Sequence, residues 1–295
     1  MKRIIKKTPF IYKFLRKIWW HFTGISVNKI DKLFLHTNTA PVTTGSLVSI
    51  LCNTWNTPPE FLVKMLNSIK QQTWQNWELL INNCSDSAHP AVEKILLEAA
   101  KKDSRIKIFK TENQGIALNT NFIASKASGE WLLLMDHDDL LHPDCISLLM
   151  AKGVKLEADF VFSDEYMLLM CYKRMRRTTK KNFSLKDLER FNFINHPALF
   201  RKNLYERTGG LRPNFEGSQD FDFYLRCTEV TNKFAYVPEA LYIWRVNQGS
   251  FSETHLDVCM QSGKRALEEH FRRIGSPCEV KIAEDGISFV VTNQK

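Results

Sequence analysis

Asp136, His137, Asp138 and Asp139 stand in a row directly after the apolar run Trp131 to Met135. Adjacent carboxylates repel one another, so such a cluster is tolerated where a cation neutralises it. A hard divalent ion held by one or two carboxylates, and completed by the phosphate oxygens of a substrate, is the usual magnesium or manganese arrangement. The competing reading is a solvated acidic loop in which Asp139 caps the helix that follows. Position after a buried strand in a parallel sheet favours the ion.

That position depends on the elements around it. Leu47 to Cys52 is an apolar run of strand length, and Thr57, Pro58 and Pro59 then offer a helix start ahead of the stripe Leu62, Leu66 and Ile69. Strands at 78–81, 106–109 and 131–135 alternate with helices at 91–101 and 116–127. Strand and helix alternating in this way predict parallel strands with crossover helices, whose ligands sit at the carboxyl ends of the strands. After the strand at 160–162 the pattern becomes irregular, as in a mixed sheet with insertions. A helix is predicted over 255–274, ended by Gly275 and Pro277, and a hairpin over 279–291 turning at Asp285 and Gly286.

Among 295 residues, 44% hydrophobic and 25% charged content excludes a collagenous, low-complexity or wholly disordered chain. The seven cysteines are dispersed singly, without a CxxC pair, and read as reduced thiols of a cytosolic protein. No apolar stretch reaches the roughly 18 residues a spanning helix needs. The net charge of +9 is concentrated at the start, where Lys2, Arg3, Lys6, Lys7, Lys13, Arg16 and Lys17 precede the first acid, Asp31.

Ile11, Leu15, Ile18 and Phe22 recur there at helical spacing, with Trp19 and Trp20 beside them. A basic amphipathic helix of this kind suits an anionic membrane surface, although it could equally dock on its own domain. A second basic run, from Lys173 to Lys181, is by default a solvated loop. Zinc-finger spacing, RNP-type aromatics and basic helical repeats are absent, so no nucleic-acid partner is expected.

The spaced set Val48-Ser49-Ile50, Trp55-Asn56, Leu66-Asn67-Ser68-Ile69, Gln72-Thr73-Trp74 and Asn76-Trp77-Glu78-Leu79 resembles the opening of family 2 glycosyltransferases. Asn113-Gln114-Gly115-Ile116 with Asn119, the Gly129-Glu130-Trp131 lead into the aspartates, and Gly217-Ser218-Gln219-Asp220-Phe221-Asp222 continue the resemblance. Leu241-Tyr242-Ile243-Trp244-Arg245 with Gly249-Ser250 extends it, and 265–270 is similar to the tail of bacterial O-antigen and rhamnan-type members.

The resemblance covers about residues 46–292. It implies an α/β fold of the GT-A type, a Rossmann-like nucleotide-diphospho-sugar transferase with a mixed, mostly parallel sheet flanked by helices. The expected organisation is a basic segment 1–36, a linker 37–45, a transferase domain 46–252, and a C-terminal helix and hairpin, 253–295, packed on it.

The same resemblance implies inverting transfer of a sugar from a nucleotide-sugar, with a uridine diphosphate sugar expected, to a glycan or lipid-linked acceptor in bacterial surface polysaccharide synthesis. Mn²⁺ or Mg²⁺ would be held by Asp138 with Asp139 in support, while Asp136 contacts ribose or sugar. Asp220 matches the family's base, with Asp222 as fallback; its other role is the N-terminal carboxylate of a helix. Trp55, Asn56, Asn83, Ser85, Asn119 and Arg245 fall at donor-binding positions, though Trp55 could be a core residue and Arg245 a structural partner of a nearby acid.

Asp164, Glu165 and His196 are candidates to face the acceptor, against surface roles for the two acids and a packing role for the histidine. The chain departs from the family pattern at Asn82-Asn83-Cys84, where Asp is common, at Asn53 in place of Pro, and at Leu118 in place of Arg. The expected location is cytoplasmic, peripheral on the inner face of the cytoplasmic membrane. The rival functions are a non-catalytic nucleotide-sugar scaffold and a nucleotidyltransferase using the same acidic site.

Overall fold

The computed structural model describes residues 25–26, 37, 39–180, 184–246, 251–276 and 278–293. The predicted N-terminal basic helix, Lys181, and Gly249-Ser250 lie outside them. The chain begins with β1 (Ile25–Ser26), β2 (Val48–Thr54), α1 (Pro59–Lys70), β3 (Trp77–Asn83), α2 (Pro90–Lys102), β4 (Ile106–Lys110), α3 (Ile116–Ala124) and β5 (Trp131–Leu134). It continues through β6 (Leu140–Leu141), α4 (Cys145–Lys155), β7 (Phe160–Leu169), β8 (Arg174–Thr178), α5 (Leu185–Leu188), β9 (Ala198–Arg201) and α6 (Lys202–Arg207). The last elements are α7 (Gln219–Val230), β10 (Phe234–Val246), α8 (Phe251–Thr254), α9 (Leu256–Arg273), β11 (Cys278–Ile282) and β12 (Phe289–Asn293).

The main sheet runs β1-β8-β7-β9-β5-β2-β3-β4, with β10 beside β7 and β6 beside β10. Strands β5, β2, β3 and β4 are mutually parallel, as the alternating pattern predicts. The irregular part inserts β9 antiparallel to both β5 and β7. Two antiparallel pairings with β9 make β7 run in the direction of β5, so their carboxyl ends share one edge of the sheet.

The parallel strands read as continuous apolar runs because both of their faces are covered. Ile50, Cys52, Leu79, Ile81, Trp131 and Leu133 pack toward α1, α2 and α4. Their alternating neighbours Leu51, Leu80, Leu132 and Leu134 pack toward α3, α7 and α9. The C-terminal hairpin joins this second layer through Val280 and Phe289.

Two details shape the functional edge. β10 follows β7 in parallel but slips register between Val237 and Ala240 and again before Tyr242. Such irregularities bend a strand, and here the segment beyond them pairs Tyr242 with Leu141 and Ile243 with Leu140. Leu140, Leu168, Met175 and Ile243 form a small apolar cluster on which Ile25 of β1 packs. β1 itself pairs antiparallel with β8.

Thr57 does not cap α1 as the sequence suggests. Pro58 occupies that position with no side-chain cap, and the Thr57 hydroxyl instead lies 2.9 Å from His137 Nδ1. Among the described residues no helix is long and apolar enough to cross a membrane. All seven cysteines are free.

Candidate active site

β5 is wholly buried, and Met135 still bonds the sheet, its N–H donating to Leu51 O at 3.0 Å. The chain then leaves the sheet, turns through 136–139 and returns antiparallel as β6. The turn is braced from β10. Asp136 N donates to the Tyr242 hydroxyl at 3.2 Å, and Arg245 N donates to Asp139 Oδ1 at 2.7 Å. The Arg245 guanidinium donates to Asp138 O and lies over the Phe61 ring. Asp139 therefore does not cap the following helix.

Asp139 is fully buried, and its Oδ2 has no hydrogen-bond partner among the described residues. Burial, followed by the charges of Asp138 and Asp136, pushes its carboxyl well above the usual range. The same two causes, burial and then Asp138, push Asp136 up to about 6. Its side chain is 53% exposed, so solvent screening trims that rise. Arg245 satisfies Asp139 Oδ1 and sets its guanidinium against Asp138 O, so the turn already has one positive charge beside it. Among the described residues no group of three or more acids, histidines or cysteines is gathered as a ready metal site, and a hard divalent cation here would draw its remaining ligands from a substrate's phosphates.

Asp220 is the second residue of α7, where its carboxylate also faces the helix N-terminus. Phe221 N donates to its Oδ1 at 2.8 Å, and Asn192 Nδ2 donates to its Oδ2 at 2.9 Å. Burial raises its affinity for a proton, His196 opposes that, and Asp136 adds to it. His196 Nε2 lies 3.4 Å from Asp136 Oδ2, and its ring stacks on Tyr242. Burial holds the imidazole below its ordinary pKa, while Asp220 and Glu165 pull the other way. Asp136, His196 and Asp220 thus lie near enough to act on one another's charge, with His196 beside Asp136. Asp139 Oδ2, His196 Nδ1 and Gln219 Oε1 are buried polar atoms without partners in the described structure.

Trp55 follows β2 with 45% of its surface exposed, so it is not a core residue. Asn56 sits at φ +50°, and its N–H donates to Ser85 Oγ at 3.0 Å. Its side-chain amide engages Asp86 twice, donating to Oδ2 at 2.8 Å and accepting from the backbone N–H at 3.1 Å.

Asn83 and Asn119, expected to touch the donor, are buried and spent inside the protein. Asn83 Oδ1 accepts from Thr54 Oγ1 and from Ser85 N, tying the ends of β2 and β3 together. Asn119 Nδ2 donates to Asn113 Oδ1 at 3.0 Å, and its Oδ1 accepts from Gln114 N at 3.3 Å, which shapes the 113–115 loop. Asp86, three residues past Asn83, is a carboxylate beside Asn56 that the sequence pattern does not single out. The bonds from His89 and then Asn56 hold it below the usual carboxylate range.

Asp164 and Glu165 do not face an acceptor. Both are buried, because β7 is covered on both sides at this point. Asp164 accepts from Arg177 Nε at 2.8 Å, Lys180 N at 2.7 Å and the Tyr236 hydroxyl at 2.6 Å. Glu165 pairs with the buried Lys180 at 3.2 Å. Lys180 therefore belongs to the interior and not to a solvated basic loop. Asp222, the fallback base, is buried between Arg212 and Arg226. A cavity of about 510 Å³, lined by Gly129, Glu130, Arg201 and Lys202, lies at the opposite ends of β5 and β9 and contains none of these residues.

The family model for glycosyl transferase family 2 matches residues 49–209, and the chain belongs to that family. It is 29% identical over 243 residues to O-antigen biosynthesis protein RfbC of Myxococcus xanthus, covering 79% of this chain and 19% of that protein. The chain spans 26% and 19% of the length of the first curated relatives it matches.

Among solved structures, the mannosyltransferase PcManGT of Pyrobaculum calidifontis, in complex with GDP-Man and Mn²⁺, superposes with a TM-score of 0.56 at 17% identity, covering 92% of this chain and 73% of that one. Staphylococcus aureus TarS 1-349 in complex with UDP-GlcNAc superposes with a TM-score of 0.55 at 14% identity, covering 76% and 72%. The fold is the GT-A glycosyltransferase fold, a mixed and mostly parallel sheet flanked by helices.

Proposed function

We propose that this protein is an inverting glycosyltransferase that moves a sugar from a nucleotide-sugar to a glycan or lipid-linked acceptor in bacterial surface polysaccharide synthesis. The observation that carries the reading is the nearness of two acidic groups from distant parts of the chain. Asp136 of the acidic turn and Asp220, a carboxylate of raised proton affinity, act on each other electrostatically, with His196 beside both. Asp138, with Asp136 and Asp139 behind it, would hold a divalent cation that neutralises the charge growing on the leaving diphosphate. Arg245 holds the acidic turn in shape from β10.

Asp220 accepts the proton of the acceptor hydroxyl as that oxygen attacks the face of the sugar opposite the diphosphate. A carboxylate whose pKa is lifted by burial is a better base for this step than a solvated one. The exposed ring of Trp55 and the Asn56–Asp86 pair offer a stacking face and hydrogen-bonding groups for the nucleoside. Uridine is our choice of base; related folds are seen with both UDP-GlcNAc and GDP-Man. The basic stretch at the N-terminus would keep the cleft at the inner face of the cytoplasmic membrane, close to a lipid-linked acceptor.

The test is incubation with uridine, thymidine and guanosine diphosphate sugars plus Mn²⁺ or Mg²⁺, measuring release of nucleoside diphosphate. Release that disappears with chelator, and falls at least about a hundredfold in Asp138→Ala and Asp220→Asn, is the expected result. Pyrophosphate formed from a nucleoside triphosphate would establish a nucleotidyltransferase instead. Binding without turnover of any donor would establish a scaffold.

A further inference from the structure

The loop joining α5 to β9 reaches both Asp220 and Asp136. At its start Asn192 Nδ2 donates to Asp220 Oδ2 at 2.9 Å, and four residues later His196 Nε2 lies 3.4 Å from Asp136 Oδ2. Between these points the carbonyls are held one by one. Lys180 Nζ donates to Ile194 O and to His196 O, and the Tyr224 hydroxyl donates to Asn195 O at 2.8 Å. The remaining Lys180 donor goes to Glu165 Oε2 at 3.2 Å, while Glu165 Oε1 accepts from Asn195 Nδ2 at 3.4 Å. Lys180 is 3% exposed and Glu165 1%, so water does not compete for these bonds.

The orientation of the Asn192 amide is fixed independently. Its Oδ1 accepts from Asn195 N at 3.4 Å. Flipping the amide would set an oxygen against the Asp220 carboxylate and an NH₂ against a backbone N–H, and both contacts repel. A carboxylate left to itself rotates about its Cβ–Cγ bond. Asp220 cannot, because Phe221 N holds one oxygen and Asn192 holds the other. Each oxygen keeps a second lone pair for an incoming hydroxyl.

We propose that Asn192 is a positioning residue: through a loop locked from beneath by Lys180 and Glu165, it aims the Asp220 carboxylate at the acceptor hydroxyl in fixed register with Asp136. The inference rests on the reading of Asp220 as the base. It predicts two effects that a filler side chain would not have. Donating to the charged carboxylate favours its ionised form, so removing the donor should raise the pH at which Asp220 titrates. Losing the aim should lower kcat and leave the donor KM in place.

The experiment uses the full chain and follows the Asp220 carboxyl by ¹³C NMR over a pH titration, with Asp220→Asn identifying the signal. Asn192→Ala should move its titration upward by about one pH unit. Asn192→Ser, which keeps a short donor, should move it less. With the active donor, Asn192→Ala should lose about tenfold or more in kcat at unchanged donor KM, and the acid limb of its pH profile should move with the NMR titration. An Asp220 titration unchanged in Asn192→Ala overturns the proposal, whatever the turnover. Wild-type turnover in Asp220→Asn would overturn the base assignment instead and leave the NMR result standing, so the two failures are separable.

Discussion

Asp220 and Asp222 are two residues apart on α7, and their electrostatic surroundings are opposite. Asp222 meets two guanidiniums and is fully buried. Asp220 meets one amide and one backbone N–H, and burial raises its pKa. A carboxyl whose folded pKa lies above its unfolded value stabilises the fold at low pH and loses that contribution as pH rises through the folded pKa. At pH 7, Asp220→Asn should therefore leave the urea midpoint unchanged or higher. Asp222→Ala should cost about 3–5 kcal/mol, because it strands Arg226 in the interior. A midpoint that falls in the first variant and holds in the second would reverse our assignment of roles. The placement of Asp136, Asp138 and Asp139 after a strand and of Asp220 at a helix start is legible in the sequence, because the apolar run and the helix pattern carry that context with them. Asn83, Asn119, Asp164 and Glu165 were misjudged because exposure depends on which strand later covers them. Asn192 gives no sequence signal and Lys180 reads as part of a solvated basic run, since their partners lie 28 and 15 residues away.

α7 presents Asp220 at one end and is latched to α9 at the other. Glu229 accepts from His270 Nδ1 at 2.6 Å and from Arg273 Nε and Nη2, each at 2.8 Å. Burial works against its charge, yet these bonds prevail and bring its pKa down to about 2. A depressed carboxyl stabilises the fold above its unfolded value near 4.5, and that contribution fades as pH falls toward 2. After discounting for partial solvent screening the latch is worth on the order of 2 kcal/mol. Unfolding free energy should therefore drop across that acid window, and Glu229→Gln should flatten the drop. An equally steep slope in the variant would assign the acid sensitivity elsewhere. The elements themselves were largely readable. The four parallel strands, α9 and the C-terminal hairpin follow from hydrophobic period and turn residues. β9 did not, because a four-residue strand between two antiparallel partners has the same local signature as a loop.

Across the whole molecule the charge is lopsided, with seven basic residues among the first 17 against a net +9 for the chain. The full chain should float with vesicles rich in phosphatidylglycerol and sink as salt rises, whereas a chain beginning at residue 25 should stay at the bottom. Equal flotation of the two would remove the membrane from our proposal. The pairing of β1 with β8, and the seat of Ile25 on the cluster containing Leu140, join this leading stretch to the body one residue past Asp139 in the fold's apolar packing. Twenty-four residues reach no more than about 86 Å when fully extended, and far less where they are helical. On a bilayer that leash would confine the catalytic mouth to a shallow slab above the lipid. Within such a volume an acceptor diffusing in the leaflet is met at a far higher local density than any dissolved sugar chain, so the choice of acceptor would be made as much by geometry as by the contacts inside the cleft.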